Sequence, residues 1–371
     1  MDFLTAGSES SYGSNIQIQY RSRIYDNDTG CGETCGGWRG DSIPGTQRKG
    51  YVKQETKERV MQSIEALNYT PNEMARNLFH GKSGIIAVII PELAHPFFSE
   101  LVNAFEVSLC KVGYQTMVCN TFYEKNYELR YLEMLRRQRV DGIIFGAHTS
   151  LASEQYQSLQ RPVIGLDRKL AETIPYVAAD HEEGGRMAAQ ELIRSGCRNV
   201  VQFGEVEDSV ITPSSQRHFV FRKVVEAHGI TCSSYPKQPN YSAYNTYQES
   251  AARLFEEHPD VDGIFGTDLY AAACLQYALA HGIRVPQDVK IVAYDGTYMT
   301  RFLHPEMTTI CQPIQQLADE AVRMITDMIN GNEVKQKRVI LPVSIRRGNT
   351  TTGNQEGVPD DNGSAGESQS L

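Results

Sequence analysis

The chain has 371 residues, 40% of them apolar, and carries 36 Lys+Arg against 45 Asp+Glu, a net charge of −9. That length allows two or three domains with a sizeable core. No apolar run approaches the ~18–20 residues of a membrane span, and no basic segment followed by an apolar one opens the chain, so a soluble cytoplasmic protein with no membrane partner is expected. Residues 1–83 hold ten basic and ten acidic residues, whereas 84–371 hold 26 and 35. The acidic main body is therefore a poor nucleic-acid binder by itself, and the N-terminal part lacks the basic balance of a DNA-binding arm.

The first 49 residues are rich in Gly, Ser, Asn and Asp with no sustained apolar period, and do not read as a folded domain. Cys31-x3-Cys35 has no further ligands nearby to complete a zinc site, so no metal is expected. Cys110, Cys119, Cys197, Cys232, Cys274 and Cys311 are scattered through apolar or helical segments, which suits reduced thiols. From Tyr51 the texture changes. Val60, Ile64 and Leu67 at helical spacing predict a helix over 54–69, stopped at Pro71. A short helix over 72–79 follows, with Asn72 as its N-cap, and then a linker over 80–84.

Beyond Gly84 strand and helix alternate. The apolar run 85–90 predicts a strand buried on both faces. A helix over 96–112, strand 114–120, helix 123–138, strand 142–146, helix 150–159 and strand 162–167 complete a first series. The second begins with a strand at 176–180 and continues through helix 182–195, strand 199–204, helices 215–228 and 244–257, strand 262–266, helix 269–281 and strand 289–294. A strand near 308–311, a helix over 314–329 and a strand over 337–345 finish it. Such alternation over 260 residues predicts doubly wound parallel sheets, and the length calls for two similar lobes with the strands' carboxyl ends facing a cleft. The tail from Asn349 has little to bury and is expected to be disordered.

Several segments in this order and spacing resemble the LacI family of transcriptional regulators. They are Tyr69-x-Pro71-Asn72-x-x-Ala75-Arg76-x-Leu78, Val140-Asp141-Gly142-Ile143-Ile144, His281-Gly282-x-x-Val285-Pro286-x-Asp288-Val289, Tyr294-Asp295, Thr308-Thr309-x-x-Gln312-Pro313 and Leu341-Pro342-Val343. Within the family, Leu166-Asp167-Arg168, Asp180-x-x-x-Gly184-Gly185-Arg186-Met187-Ala188-Ala189 and Tyr294-Asp295-Gly296-Thr297 look most like sucrose- and ribose-operon repressors.

The resemblance implies an α/β, two-lobed periplasmic-binding-protein-like body over 84–348. Before it, 50–83 would hold the last helix of a DNA-binding bundle and a hinge helix; the aberrant 1–49 and the tail 349–371 flank the whole. It also implies a homodimer that binds operator DNA under control of a sugar or sugar phosphate held between the lobes, with no cofactor. Asn72, Ala75, Arg76 and Leu78 would form the hinge segment, Ala75 and Leu78 meeting the minor groove; simple amphipathic packing is the other reading.

The family's helix-turn-helix pattern is absent where it should stand, over 30–47. Reading the last two bases of each codon with the first of the next permits Asp-Val-Ala-Lys-Leu-Ala-Gly-Val-Gly-Val-Ala-Thr-Val-Ser-Arg-Val-Leu-Asn. This matches the family pattern at every specified position but one, where Gly replaces Ser. The expectation is a helix-turn-helix segment translated out of frame, with the frame restored near 47–49; a genuinely divergent arm is the other reading.

For the cleft, His95 and Phe97 follow the first strand and supply the imidazole and aromatic face that sugar sites use, although a phenylalanine there also suits the core. Asp167 and Arg168 close strand 162–167, where adjacent charges need partners that sugar hydroxyls can provide. Asp268 and Asp295 stand at the ends of strands 262–266 and 289–294. By resemblance Arg217 is the effector-contacting arginine and Gln312 the glutamine of the crossover. Thr267 replaces the family's usual Asn and Val220 its usual Gly. A free sugar-binding protein of the periplasmic type shares the lobes but would need a signal peptide. No Walker loop, GxSxG or HExxH supports an enzyme.

Overall fold

A computed structural model describes residues 58, 59, 62, 63, 66 and 82–351, apart from 138, 147–152, 158, 160, 205–211 and 236–243. The chain divides into two units, 1–80 and 81–371. In the first, the described residues lie inside the predicted 54–69 helix and are helical. The hinge candidates Asn72, Ala75, Arg76 and Leu78, and the whole of 30–47, lie outside the described residues.

The second unit contains two six-stranded sheets. The first is built from β1 (Ile85–Ile90), β2 (Gln115–Asn120), β3 (Gly142–Phe145), β4 (Val163–Leu166), β5 (Tyr176–Ala179) and a late strand, β11 (Arg338–Leu341), in the order β11-β5-β4-β3-β1-β2. The second contains β6 (Asn199–Phe203), β7 (Thr231–Tyr235), β8 (Gly263–Thr267), β9 (Lys290–Asp295), β10 (Thr308–Cys311) and β12 (Ser344–Arg346), in the order β12-β10-β9-β8-β6-β7. All pairings are parallel except β10 with β12.

Helices cover both faces of each sheet, which is why the strands read as continuous apolar runs: five of the six residues of β1 are buried. On the first sheet, α1 (Pro96–Lys111) and α8 (Ile314–Ile329) pack on one face, where Leu101, Phe105, Leu317 and Ile325 meet Ile86 and Val88. On the other face, α2 (Lys125–Arg136) and α3 (Ser153–Gln157) contribute Leu132, Leu135 and Tyr156 against Ile89 and Phe145. On the second sheet, α4 (His181–Arg194) and α5 (Gln216–Ala227) cover one face through Leu192, Phe221 and Val225. Helices α6 (Tyr244–Glu257) and α7 (Asp268–Ala280) cover the other through Leu254, Cys274 and Ala278.

Three sequence expectations are corrected. The strand at 176–180 does not open the second lobe; it belongs to the first sheet, between β4 and β11. The two consecutive helices 215–228 and 244–257 are separated by β7, an edge strand of sequence Thr-Cys-Ser-Ser-Tyr with one buried residue. An edge strand needs no apolar run, so nothing in that stretch announces it. The single strand over 337–345 is two strands, β11 in the first sheet and β12 in the second, broken at Pro342, which has no N–H to continue a ladder. The chain thus crosses between lobes three times, before α4, before α8 and at Pro342.

The start of the tail also moves. Thr350 and Thr351 are buried: Thr350 Oγ1 donates to Ile291 O at 2.7 Å and Thr351 Oγ1 donates to the buried Glu191 at 2.8 Å. Residues 349–351 therefore belong to the second lobe because their hydroxyls satisfy polar groups in its wall.

Candidate functional site

Each doubly wound sheet has a point where its strand order reverses, between β1 and β3 in the first and between β6 and β8 in the second. Crevices that admit ligands form at the carboxyl ends of strands at such points. His95 and Gly146, beyond β1 and β3, and Gly204 and Thr267, at the ends of β6 and β8, all line one cavity of about 410 Å³ between the lobes. That volume falls in the ~300–1,000 Å³ range of small-molecule sites. Both reversals therefore converge on a single cleft.

Of the eight predicted cleft residues, six line this cavity: His95, Phe97, Asp167, Arg217, Asp295 and Gln312. Phe97 lines the cavity and also packs in the core of the first lobe. Asp167 and Asp295 occupy left-handed backbone conformations, with φ of 49° and 115°. Such conformations cost a non-glycine residue of order 1–3 kcal/mol and gather at functional sites. Asp167 is held by hydrogen bonds: its N–H donates to Val177 O at 2.8 Å, and its Oδ1 accepts from Ala179 N at 3.0 Å. Asp295 Oδ1 accepts from Gln312 Nε2 at 2.8 Å.

The two remaining candidates lie elsewhere. Arg168 turns into the first lobe, 3.7 Å from the fully buried carboxylate of Glu128, with its guanidinium 5.6 Å from the Phe145 ring centroid and 5.7 Å from that of Tyr156. A buried carboxylate needs a cation more than a cleft does, and Glu128 was invisible as a partner at forty residues' separation. Asp268, at the head of α7, accepts from Thr297 N and Thr297 Oγ1, both at 2.7 Å, and from Thr309 Oγ1 at 3.1 Å. It anchors the loop behind Asp295 and is absent from the lining. Burial, and then the charge of Asp295, push its carboxyl up to about 7, against the pull of those hydrogen bonds.

Arg217 is 8% exposed and its guanidinium lies 4.4 Å above the ring of Tyr294, a cation–π contact. Its Nε donates to His218 Nε2 at 3.3 Å, which leaves His218 Nδ1 to donate to Gln202 Oε1 at 3.3 Å. The neutral His218 thus orients the guanidinium. Two consecutive glycines make this packing possible. A Cβ on Gly184 would lie 2.7 Å from the Tyr294 hydroxyl, and one on Gly185 would lie 2.2 Å from Arg217 O. The sequence motif around Gly184 and Gly185 is therefore a close approach of α4 to the start of α5 and to β9.

His181, the first residue of α4, escaped the sequence reading. It is 2% exposed, with Nδ1 2.7 Å from the Tyr294 hydroxyl and Nε2 3.0 Å from Asp167 Oδ1. The aromatic lining beyond Phe97 was also missed: Phe98 and Tyr123 come from the first lobe and Tyr247 and Tyr270 from the second. Thr212, Ser214 and Ser215, just before α5, add hydroxyls. The Thr-Pro-Ser-Ser string at 212–215 is a legible capping signal, and Thr212 and Ser215 do form a capping box. The arrangement offers carboxylates and a guanidinium for hydroxyls and aromatic faces for C–H surfaces.

A family model described as a periplasmic binding protein-like domain matches residues 189–351. The ribose operon repressor of Halalkalibacterium halodurans is 34% identical over 309 residues, covering 83% of this chain and 92% of that protein. The sucrose operon repressor of Streptococcus mutans is 34% identical over 302 residues, covering 81% and 92%. Among solved structures, the periplasmic binding protein/LacI transcriptional regulator from Alkaliphilus metalliredigens, complexed with D-xylulofuranose, superposes with a TM-score of 0.66 at 27% identity, over 72% of this chain and 99% of that one. These relatives are regulators, and no helix among the described residues is long and apolar enough to cross a membrane. With the same two lobes and 34% identity across most of its length, the chain belongs to the LacI family of transcriptional regulators.

Proposed function

We propose that this chain is the sensor of a sugar-utilisation operon, a non-enzymatic repressor that binds a sugar in the interlobe cleft and works in the cytoplasm as a homodimer on operator DNA. The observation that carries the reading is the joining of Asp167, Arg217, Asp295 and Gln312 from both lobes and a crossover around one cavity of about 410 Å³. A ligand held by groups from both lobes binds the closed arrangement more tightly than the open one, and that difference is what can shift a regulator between states. The sugar-operon repressors at 34% identity support the same reading.

DNA binding is the part we propose to be impaired in this polypeptide. The 30–47 stretch carries no helix-turn-helix pattern, the segment 1–83 has no net positive charge, and codon degeneracy permits the pattern one base on at every specified position but one. Gel-shift titration tests this directly: the chain as translated should retard operator DNA no better than unrelated duplex, and a frame-restored version should retard it specifically. Tight, specific binding by the chain as it stands would overturn this part alone. Thermal-shift screening against ribose, fructose, sucrose and their phosphates tests the sensor reading. A saturable rise in Tm with at least one of them supports it, and a flat response to all of them speaks against it.

A further inference from the structure

We infer that the effector is an uncharged sugar and not a sugar phosphate, an inference that rests on the sensor reading above. The cleft's described lining contains two buried carboxylates, Asp167 at 6% and Asp295 at 3% exposed, against one permanent cation, Arg217. It contains no lysine. The Arg217 guanidinium already faces the Tyr294 ring, and His218 accepts from Arg217 Nε, so that imidazole is neutral. A phosphate monoester brings a charge of about −1.5 to −2 near neutral pH. In a buried site that charge would meet more carboxylates than permanent cations among the described lining residues.

Helix N-termini are the other usual phosphate holders, because their free N–H groups point outward. Two of the helix starts beside this cleft offer fewer such groups. Helix α1 begins with Pro96, which has no N–H. Ahead of α5, Ser215 N donates to Thr212 Oγ1 at 3.2 Å and Thr212 N donates to Ser215 Oγ at 2.9 Å, so these two amides are taken.

The same groups suit hydroxyls. Asp167 and Asp295 accept from them, Arg217 donates to them, and Gln312 Oε1 is buried without a hydrogen-bond partner among the described residues. Phe97 and Tyr123 of the first lobe and Tyr247 of the second supply faces for the C–H surfaces of a sugar ring.

Titration calorimetry of the full chain at pH 7.5 with ribose, fructose and sucrose, each paired with its monophosphate, tests the inference. A neutral sugar should bind, with its phosphate at least roughly tenfold weaker, as like-charge juxtaposition demands. The gap should narrow in Asp295→Asn and in Asp167→Asn, with circular dichroism confirming that each variant folds. A phosphate that binds as tightly as its parent sugar, or more tightly, overturns the inference and leaves the sensor reading standing. Silence from all six probes removes the sensor reading and the inference together.

Discussion

His181 Nε2 in the second lobe lies 3.0 Å from Asp167 Oδ1 in the first, and both groups are buried. The same imidazole meets the Tyr294 hydroxyl through Nδ1 at 2.7 Å, and Tyr294 in turn lies beneath the Arg217 guanidinium. A cleft carboxylate of one lobe and a cleft cation of the other are thereby connected through two side chains that do not line the cavity.

Removing the imidazole should therefore weaken both the fold and the sugar site. His181→Ala removes one partner from Asp167 and one from the Tyr294 hydroxyl, and a lost buried hydrogen bond costs about 0.5–1.5 kcal/mol, more where a charged group takes part. A Tm lower by several degrees and roughly tenfold weaker sugar binding are expected, measured by calorimetry. Tyr294→Phe keeps the ring under Arg217 and loses only the hydroxyl bond, so its effect on affinity should be smaller. Equal affinity in wild type and His181→Ala would separate the imidazole from the site.

The two arginines should part company when mutated. Arg217→Ala removes a cleft donor, and losing a charged hydrogen bond costs about 1.5–3 kcal/mol, so affinity should fall roughly 10- to 150-fold with a modest change in Tm. Arg168→Ala strips the cation from the buried Glu128 carboxylate, and breaking a buried pair costs about 3–5 kcal/mol of stability. Denaturant melts paired with sugar titrations of both variants check this. A large affinity loss in a fully stable Arg168→Ala would return that residue to the cleft.

Gly185→Ala tests the close approach of α4 and α5. The new methyl would lie 2.2 Å from Arg217 O, a backbone atom that cannot swing away. Overpacking of this kind costs about 1–3 kcal/mol, and the displaced helix carries Arg217 with it. Lower stability and weaker sugar binding should appear together. A variant as stable as wild type would mean that the helices separate freely here.

How much of this was legible from sequence follows from what kind of signal each part leaves. Strands β1, β3 and β8 are buried on both faces and announce themselves as apolar runs. Asp167 and Asp295 stand at strand ends, so locating the strands located them too, whereas Gln312 came from the family resemblance. β7 gives no such signal, since an edge strand of Ser, Thr and Cys looks like a loop. Arg168 and Asp268 sit two residues and one residue beyond strands, as cleft residues do, and only three-dimensional partners, Glu128 and Thr297, reveal the structural contacts that they make. His181 could be seen only once α4 and β4 were brought together, because its partners are 14 and 113 residues away in sequence.

The buried acid pair gives a pH prediction with a definite sign. Asp268 is pushed up to about 7 by burial and by Asp295, from an ordinary 3.8 in the unfolded chain. Between those values the folded protein holds the extra proton, so the stability this group contributes is complete below about pH 4 and is lost as pH rises through about 7. Asp268→Asn cannot titrate. The stability of wild type relative to this variant should therefore decline between pH 4 and 8 in urea melts, and a difference that rises over that window would contradict the assignment.

The central claim is that a sugar sits between the lobes against Asp167, Arg217, Asp295 and Gln312. A crystal structure of the full chain grown with the tightest-binding sugar tests it most directly. The account predicts density for the sugar in the cleft, with ring hydroxyls within hydrogen-bond distance of Asp295 and Arg217. Density for the sugar at any other surface, with the cleft filled only by water, would contradict it.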